Sequence, residues 1–329
     1  MVAILLQKMS RALWSNRTSA PLGYGTASLM GRSVRRLESL RLLETAHDHG
    51  ITHFDTARSY GFGEAEAVVG EFARGRRAQI TIATKLGILP PNRTFMAVAK
   101  ALARPAVRMV PALRSRMRRA AGAMQRSGAF DVAAAQASLE KSLRALKTDY
   151  VDLLLLHECR PHDLESDELF AFLEGAVAAG RVLAYGIATD PESTHAILAQ
   201  HPRYAPIVQS PYEPLPAAYP GVSAPVTIVH SVFRSATALW DRLKNDPPLA
   251  SKVADLINVP SLDRETLCTL FLQNAAARAR AGGMVLFSSV TSQRIRANVA
   301  VLSSQRFSLD QFDHLIRITQ SAVSSSAAS

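Results

Sequence analysis

The sequence predicts a single (β/α)8 barrel with a long basic insertion after the third strand and a C-terminal helix. Three observations point there: chain length, the alternation of strand and helix patterns, and the residue types that end the strands. At 329 residues the chain could form two ordinary domains or one large α/β barrel. Short apolar, β-rich runs alternate with amphipathic helical patterns almost to the end, the signature of βαβ units and a parallel sheet. Eight such units fit a barrel of about 250 residues plus insertions better than an open sheet with a second domain.

The candidate strands, in order, are 21–29 (PLGYGTASL), 51–56 (ITHFDT), 80–85 (ITIATK), 150–157 (YVDLLLLH), 182–188 (VLAYGIA), 206–210 (PIVQS), 225–231 (PVTIVHS) and 284–289 (MVLFSS). Between the first two, Ser33 is placed to cap a helix whose stripe is Val34, Leu37, Leu40, Leu43 and Ala46, and Gly50 stops it. The segment 132–147 repeats the logic, with Asp131 as cap and Val132, Gln136, Leu139, Leu143 and Leu146 on one side. Further helices are expected at 64–74, 166–179, 192–200, 263–281, 291–302 and 308–320. The barrel is thus expected over 21–320, with an insertion at 86–130, a lead-in at 1–20 that is disordered or capping, and a disordered tail at 321–329.

Composition narrows the class. Hydrophobic residues make up 48% and charged residues 20%, the profile of a folded globular chain. Two cysteines, Cys159 and Cys268, with no C-x-x-C spacing, make the cytoplasm the expected location. No apolar run approaches the roughly 18 residues of a membrane span, and the N-terminal stretch Val2 to Leu6 has neither the h-region nor the cleavage site of a signal peptide. Net charge is +11, and its distribution is uneven. Between Asn92 and Phe130 stand Lys100 and eight arginines with no Asp or Glu.

In such a barrel, functional side chains sit at or just after the C-terminal ends of the strands. Asp55, Lys85, His157, Gln209 and His230 end apolar strands here, and the last strand runs into Ser288 and Ser289. A lysine that finishes a buried strand must find a carboxylate or reach water. Tyr60 follows Asp55 by five residues. Taken singly, each residue has a structural reading as turn, cap or core histidine; gathered on one rim, they read as a site.

At these residues the sequence resembles the aldo-keto reductase superfamily, from about Leu22 to Leu302. The stretches that carry the resemblance are GYGTA, ITHFDTARSYGFGEAEAVVG, ITIATK, SLEKSLRALKTDYVDLLLLH, GRVLAYGIATD, IVQSPYEPL and SSVTSQRIRANV. It implies a catalytic tetrad of Asp55, Tyr60, Lys85 and His157. A hydride would pass from a nicotinamide to a carbonyl carbon, while Tyr60 serves as general acid/base. Free tyrosine has a pKa near 10, so an adjacent ammonium, Lys85, would assist its ionisation. Asp55 would hold Lys85 charged, and His157 would orient and polarise the carbonyl.

The resemblance also implies the cofactor contacts. Gln209 falls where a glutamine holds the nicotinamide carboxamide, His230 where an aromatic ring stacks, and Thr189 beside Ala188 where a Ser-Asn pair assists. The last helix N-terminus would take phosphate through Ser288, Ser289, Arg294 and Asn298. Arg294 favours NADP(H) over NAD(H), whereas Ser288 and Ala297 replace a lysine and a glutamate common in the family. The absence of GxGxxG and of a Walker loop argues against the other dinucleotide and nucleotide sites.

No metal site is expected, because His47, His49 and His53 straddle a helix end and a strand start at the opposite end of the barrel. A glycosidase fits poorly, since Asp55 is the one carboxylate squarely at a strand end, Glu158 and Glu213 lying in loops. The expected partner is a small aldehyde, ketone or sugar. Three readings of the insertion stand open: a solvated lid, a cationic lid recruiting an anionic substrate, or a docking element through residues 92–130 for an acidic membrane, a protein or nucleic acid. Its aromatics are Phe95 and Phe130 alone, so base stacking has little support and no nucleic-acid partner is expected. The alternative function is a cofactor-binding but weakly active barrel acting as a regulatory or interaction protein through that Arg-rich insertion.

Overall fold

Eight parallel strands hydrogen-bond in sequence order and close on themselves, β1 pairing with both β2 and β8. They are β1 (Leu22–Gly25), β2 (His53–Asp55), β3 (Thr81–Leu86), β4 (Val151–His157), β5 (Val182–Ala188), β6 (Ile207–Pro211), β7 (Val226–His230) and β8 (Met284–Phe287). The computed structural model describes residues 21–30, 34–90, 130–214, 226–279, 283–304 and 306–326. The expectations for the lead-in, for Ser33 as a cap and for residues 92–129 lie outside that set.

Among the described residues the helices are α1 (Arg36–Asp48), α2 (Ala65–Phe72), α3 (Val132–Leu146), α4 (Asp167–Ala178), α5 (Pro191–Gln200), α6 (Val232–Leu243), α7 (Pro247–Leu256), α8 (Arg264–Ala279), α9 (Ser292–Ala300) and α10 (Leu309–Ser326). A short 3-10 turn, Tyr60–Gly63, leads into α2. No described helix is long and apolar enough to cross a membrane.

Period-two alternation sorts each strand into two faces. Outward residues such as Tyr24, Phe54, Ile82, Leu154, Leu156, Ile187, Val208 and Val285 pack with the helices in one core cluster. Inward residues, including Ala83, Leu153, Leu155, Ala184, Ile207, Ile228, Met284 and Leu286, fill the barrel in a second. Two residues further along the same inward face come Lys85 after Ala83, His157 after Leu155, Gln209 after Ile207, His230 after Ile228 and Ser288 after Leu286. The polar strand ends are therefore the top layer of the barrel interior. At Gly186 a Cβ would lie 2.1 Å from the carbonyl oxygen of Ile207, so only glycine lets β5 and β6 approach there.

Several helices differ from expectation for physical reasons. The buried face of α1 is Ser39, Leu42, Leu43 and Ala46, and Leu37 is 62% exposed. A three-residue step rotates about 300° around a helix, so the expected stripe drifts by roughly 60° per step. The cap position of α1 is Arg35, with no side-chain bond. Asp131 caps α3 as expected, accepting from the Ala134 N–H at 2.8 Å. Gln136 is exposed rather than buried and donates to Glu140 at 3.2 Å, while Ala135, Ser138 and Ser142 take its place on the buried face. Two helices, α6 and α7, were not anticipated. The second was legible: Asp246 precedes Pro247, and its side chain accepts from the Leu249 N–H at 3.1 Å. Helix α10 continues to Ser326, past the expected end at 320.

Candidate active site

The top layer closes on a cavity of about 390 Å³. Asp55, Tyr60, Lys85, His157, Thr189, Gln209, His230 and Ser288 all line it, so most of the residues singled out in the sequence meet in one place. Lys85 Nζ lies 2.6 Å from both carboxylate oxygens of Asp55 and 3.0 Å from the Thr56 carbonyl. Side-chain exposure is 2% for Lys85 and 5% for Asp55, which makes this a buried pair with its donors satisfied.

The Lys85 ammonium sits 4.9 Å from the centroid of the Tyr60 ring. The His157 ring packs edge-on against Tyr60, with centroids 5.9 Å apart and the planes at 84°. Tyr60 and His157 are partly open to the cavity. Burial favours the neutral amine of Lys85, but the Asp55 carboxylate and then Tyr60 outweigh it and hold the lysine above its ordinary range. Burial pushes the Tyr60 hydroxyl up, while the Lys85 charge pulls it down. Tyr60 is therefore protonated at neutral pH. Desolvation, with the Lys85 charge adding, lowers His157 to about 3. Desolvation likewise lowers His230 to about 4, against the Asp55 charge. Both imidazoles are neutral near pH 7.

Gln209 bridges two parts of the site. Its Nε2 donates to Asp55 Oδ2 at 3.0 Å, and its Oε1 is buried with no hydrogen-bond partner. A buried, unsatisfied carbonyl costs about 1–3 kcal/mol, so this oxygen calls for a donor from a ligand. His230 pairs through Nδ1 with Ser231 Oγ at 2.8 Å. Thr189 Oγ1 is 3.1 Å from the Cys159 carbonyl, to which it donates, so its proton is not available to a ligand. Ser288 Oγ donates to the Gly25 carbonyl at 2.8 Å, tying β8 to β1 at the rim.

Three expected cofactor residues do not line the cavity. Ser289 is buried and accepts from the Thr291 N–H at 3.2 Å. Thr291 caps α9, its Oγ1 accepting from Arg294 N at 3.4 Å. Arg294 is exposed and Asn298 half-buried. Among the described residues no group of three or more His, Cys, Asp and Glu is placed to hold a metal. Cys159 is buried and its thiol is pushed up by burial, which leaves it inert.

Sequence reasoning missed Asp190, Phe233 and Arg234 as cavity residues and had set Glu158 aside as a loop residue; all four line it. Glu158 directly follows His157, and Asp190 ends the GRVLAYGIATD stretch, so both were adjacent to recognised signals. Phe233 and Arg234 stand on α6, whose existence the sequence reading did not register.

The structure thus brings an ion-paired lysine, a tyrosine and a neutral histidine together at the C-terminal mouth of a closed parallel barrel. The profile of the aldo/keto reductase family matches residues 21–224, more than half of the chain, and the chain belongs to that family. It is similar to the D-threo-aldose 1-dehydrogenase of a Pseudomonas species, 33% identical over 172 residues that cover 50% of this chain and 49% of that one. With the 6-dehydroglucose reductase of Agrobacterium fabrum it shares 34% identity over 149 residues, 44% of this chain and 41% of that one. The chain thus spans about half, or less, of the length of the curated relatives it matches. Among solved structures, an aldo-keto reductase from Klebsiella pneumoniae in complex with NADPH superposes with a TM-score of 0.61 at 21% identity, over 91% of each chain. At that identity the likeness shows the fold.

Proposed function

We propose that the chain is a nicotinamide-dependent oxidoreductase that interconverts an aldehyde, ketone or sugar carbonyl and its alcohol, with NADP(H) preferred. The observation that carries this reading is the buried Lys85–Asp55 pair, with both oxygens at 2.6 Å, set beneath the Tyr60 ring in a cavity. A bound nicotinamide dinucleotide supplies a hydride to the carbonyl carbon or accepts one from the alcohol. The residues present suit it: the orphaned Gln209 Oε1 matches the N–H donors of a carboxamide, and the neutral His230 lines the same cavity with an aromatic ring.

In the direction of reduction, His157 donates an N–H to the substrate oxygen and fixes its position. Tyr60, protonated at neutral pH, delivers its proton to that oxygen as negative charge develops. Lys85 stabilises the tyrosinate left behind, and Asp55 keeps Lys85 charged and in place. In oxidation the same groups run in reverse, Tyr60 taking the alcohol proton. Arg294, on the first turn of α9, would turn inward to meet a 2'-phosphate. We infer a cytoplasmic setting, which suits the two free cysteines, Cys159 and Cys268. An anionic carbonyl substrate would be drawn by Arg234 at the cavity and by the basic residues 92–130.

The test is a titration with NADPH and NADH that follows the fluorescence of Trp14 and Trp240, together with turnover on aldehydes and aldoses. Micromolar binding and oxidation of the reduced dinucleotide are expected, NADPH binding more tightly. No binding of either dinucleotide at millimolar concentration overturns the reading.

A further inference from the structure

Glu66 is a buried carboxyl for which the proposed chemistry has no use. It stands on the first turn of α2 and is 4% exposed. Thr84 Oγ1 donates to Glu66 Oε1 at 2.6 Å, and Ser142 of α3 makes a second side-chain hydrogen bond to it. Burial raises Glu66 above the usual carboxylate range, while the two hydrogen bonds, and then the charges of Arg58 and Lys85, act the other way. Arg58 itself reaches the Ser138 carbonyl of α3 at 3.4 Å. A group this costly to bury is retained where its bonds fix something.

Chain connectivity shows what it fixes. Tyr60 opens the 3-10 turn Tyr60–Gly63, and Glu64 alone separates that turn from α2, so Glu66 is six residues from Tyr60 on one short stretch of chain that turns at Gly61 and Gly63. Thr84 and Lys85 are consecutive on β3, with Thr84 facing the helices and Lys85 the barrel interior. Tyr60 and Lys85 belong to different elements, and the Lys85 ammonium must stay near the Tyr60 ring.

We propose that Glu66 is a positioning residue whose hydrogen bond to Thr84 locks the segment carrying Tyr60 to the strand carrying Lys85, setting the distance between the tyrosine hydroxyl and the ammonium. The inference rests on the acid/base reading of Tyr60 and Lys85 given above. Asp55 from β2, Lys85 from β3, and His157 and Glu158 at the end of β4 face Tyr60, and the lock acts on the Lys85 contribution among them. A displacement of about 1 Å at such a contact costs on the order of a hundredfold in rate.

Four single variants test it: Thr84→Val, which keeps the shape and removes the donor, Thr84→Ser, Glu66→Ala and Glu66→Gln. The tyrosinate absorbance of each, minus that of the same variant carrying Tyr60→Phe, reports the ionisation of Tyr60 without any turnover. In Thr84→Val and Glu66→Ala the Tyr60 ionisation moves to higher pH, because the ammonium that stabilises tyrosinate is less well placed. In the same two variants kcat falls roughly ten- to a hundredfold, while KM and dinucleotide affinity hold. Thr84→Ser and Glu66→Gln, which keep a donor and an acceptor respectively, restore both readouts.

Wild-type ionisation and kcat in Thr84→Val and Glu66→Ala overturn the proposal. So does a loss in those variants that comes with lost thermal stability and lost dinucleotide binding and that Thr84→Ser and Glu66→Gln do not repair. A shifted Tyr60 ionisation in a protein that binds neither dinucleotide keeps the positioning role and overturns the oxidoreductase reading instead.

Discussion

The strand ends at the cavity and the turn into α9 are built on different principles. On β2, β3 and β6 the polar groups at the cavity are buried and bonded to one another: Lys85 to Asp55, and Gln209 to the same carboxylate. At the turn into α9, each polar group is satisfied by its own local chain: Ser289 by Thr291, and Thr291 by the Arg294 N–H. Arg294 is left in solvent. The strand end can therefore change little without loss, because each group removed leaves a partner stranded in low dielectric. The polar groups of the α9 turn already satisfy one another, so contacts to a phosphate there would add to those bonds rather than replace them.

Lys85→Met should break the strand end most severely. Turnover falls by about 10²- to 10⁴-fold, and stability by about 3–5 kcal/mol, because Asp55 is left as an unpaired buried charge. Denaturant unfolding together with steady-state kinetics separates the two losses. Adding Asp55→Asn to the same chain removes the stranded charge and recovers much of the stability, but none of the turnover. A Lys85→Met protein of unchanged stability would mean that the pair is not buried as the 2% exposure of the lysine states.

Gln209→Leu comes next. The orphaned Oε1 is removed along with its amide, and affinity for NADPH and for NADH should fall together, by about tenfold. Arg294→Gln sharpens the contrast from the other end. NADPH affinity drops by about tenfold, the worth of a charge-assisted contact to phosphate, while NADH affinity and protein stability stay at wild-type values. Equal losses for both dinucleotides in Arg294→Gln would place that arginine away from the 2'-phosphate.

The same difference explains what the sequence made legible. Residues such as Lys85 and His157 stand out because a charged or titratable group at the end of an apolar strand violates the local pattern, and period-two alternation then places them all on one face. The eight strands were found within a few residues of their bounds, apart from the first, because parallel strands buried on both faces read as apolar runs. The failures lie where the physics is not local. Leu37 was placed on a buried stripe because a three-residue period resembles a helical one over short windows, and Gln136 because spacing was weighed above polarity. The cap position before helix α6 is Ser231, which adopts a left-handed φ of 64° and makes no side-chain cap bond, so no capping signal announced it. Its Arg234 went unnoticed with it. The Glu66–Thr84 bond joins residues 18 apart, and no single-chain pattern marks such a pair.

Changes of pH and of salt should act on the two regions separately. The ordinary histidine value is 6.5, whereas folding lowers His157 to about 3 and His230 to about 4. A depressed histidine contributes stability that is fully present above the unfolded value. That contribution is lost as pH falls from about 6.5 toward 4 and then 3, because the unfolded chain takes up the protons first. Glu66 and Asp152, which burial holds above the carboxylate range, work the other way over the acid part of this window. The comparison that isolates the histidines is therefore wild type against His157→Gln/His230→Gln. Between pH 6.5 and 4 the unfolding midpoint of the double variant should fall less steeply than that of the wild type. In the same window kcat should show no limb near 6.5, since neither imidazole titrates there in the folded protein. Raising salt at pH 7 should weaken NADPH binding through the exposed Arg294 while leaving the buried Lys85–Asp55 pair untouched. A kcat limb at 6.5 would put a charged histidine in the site and break the assignment of His157 as a neutral donor.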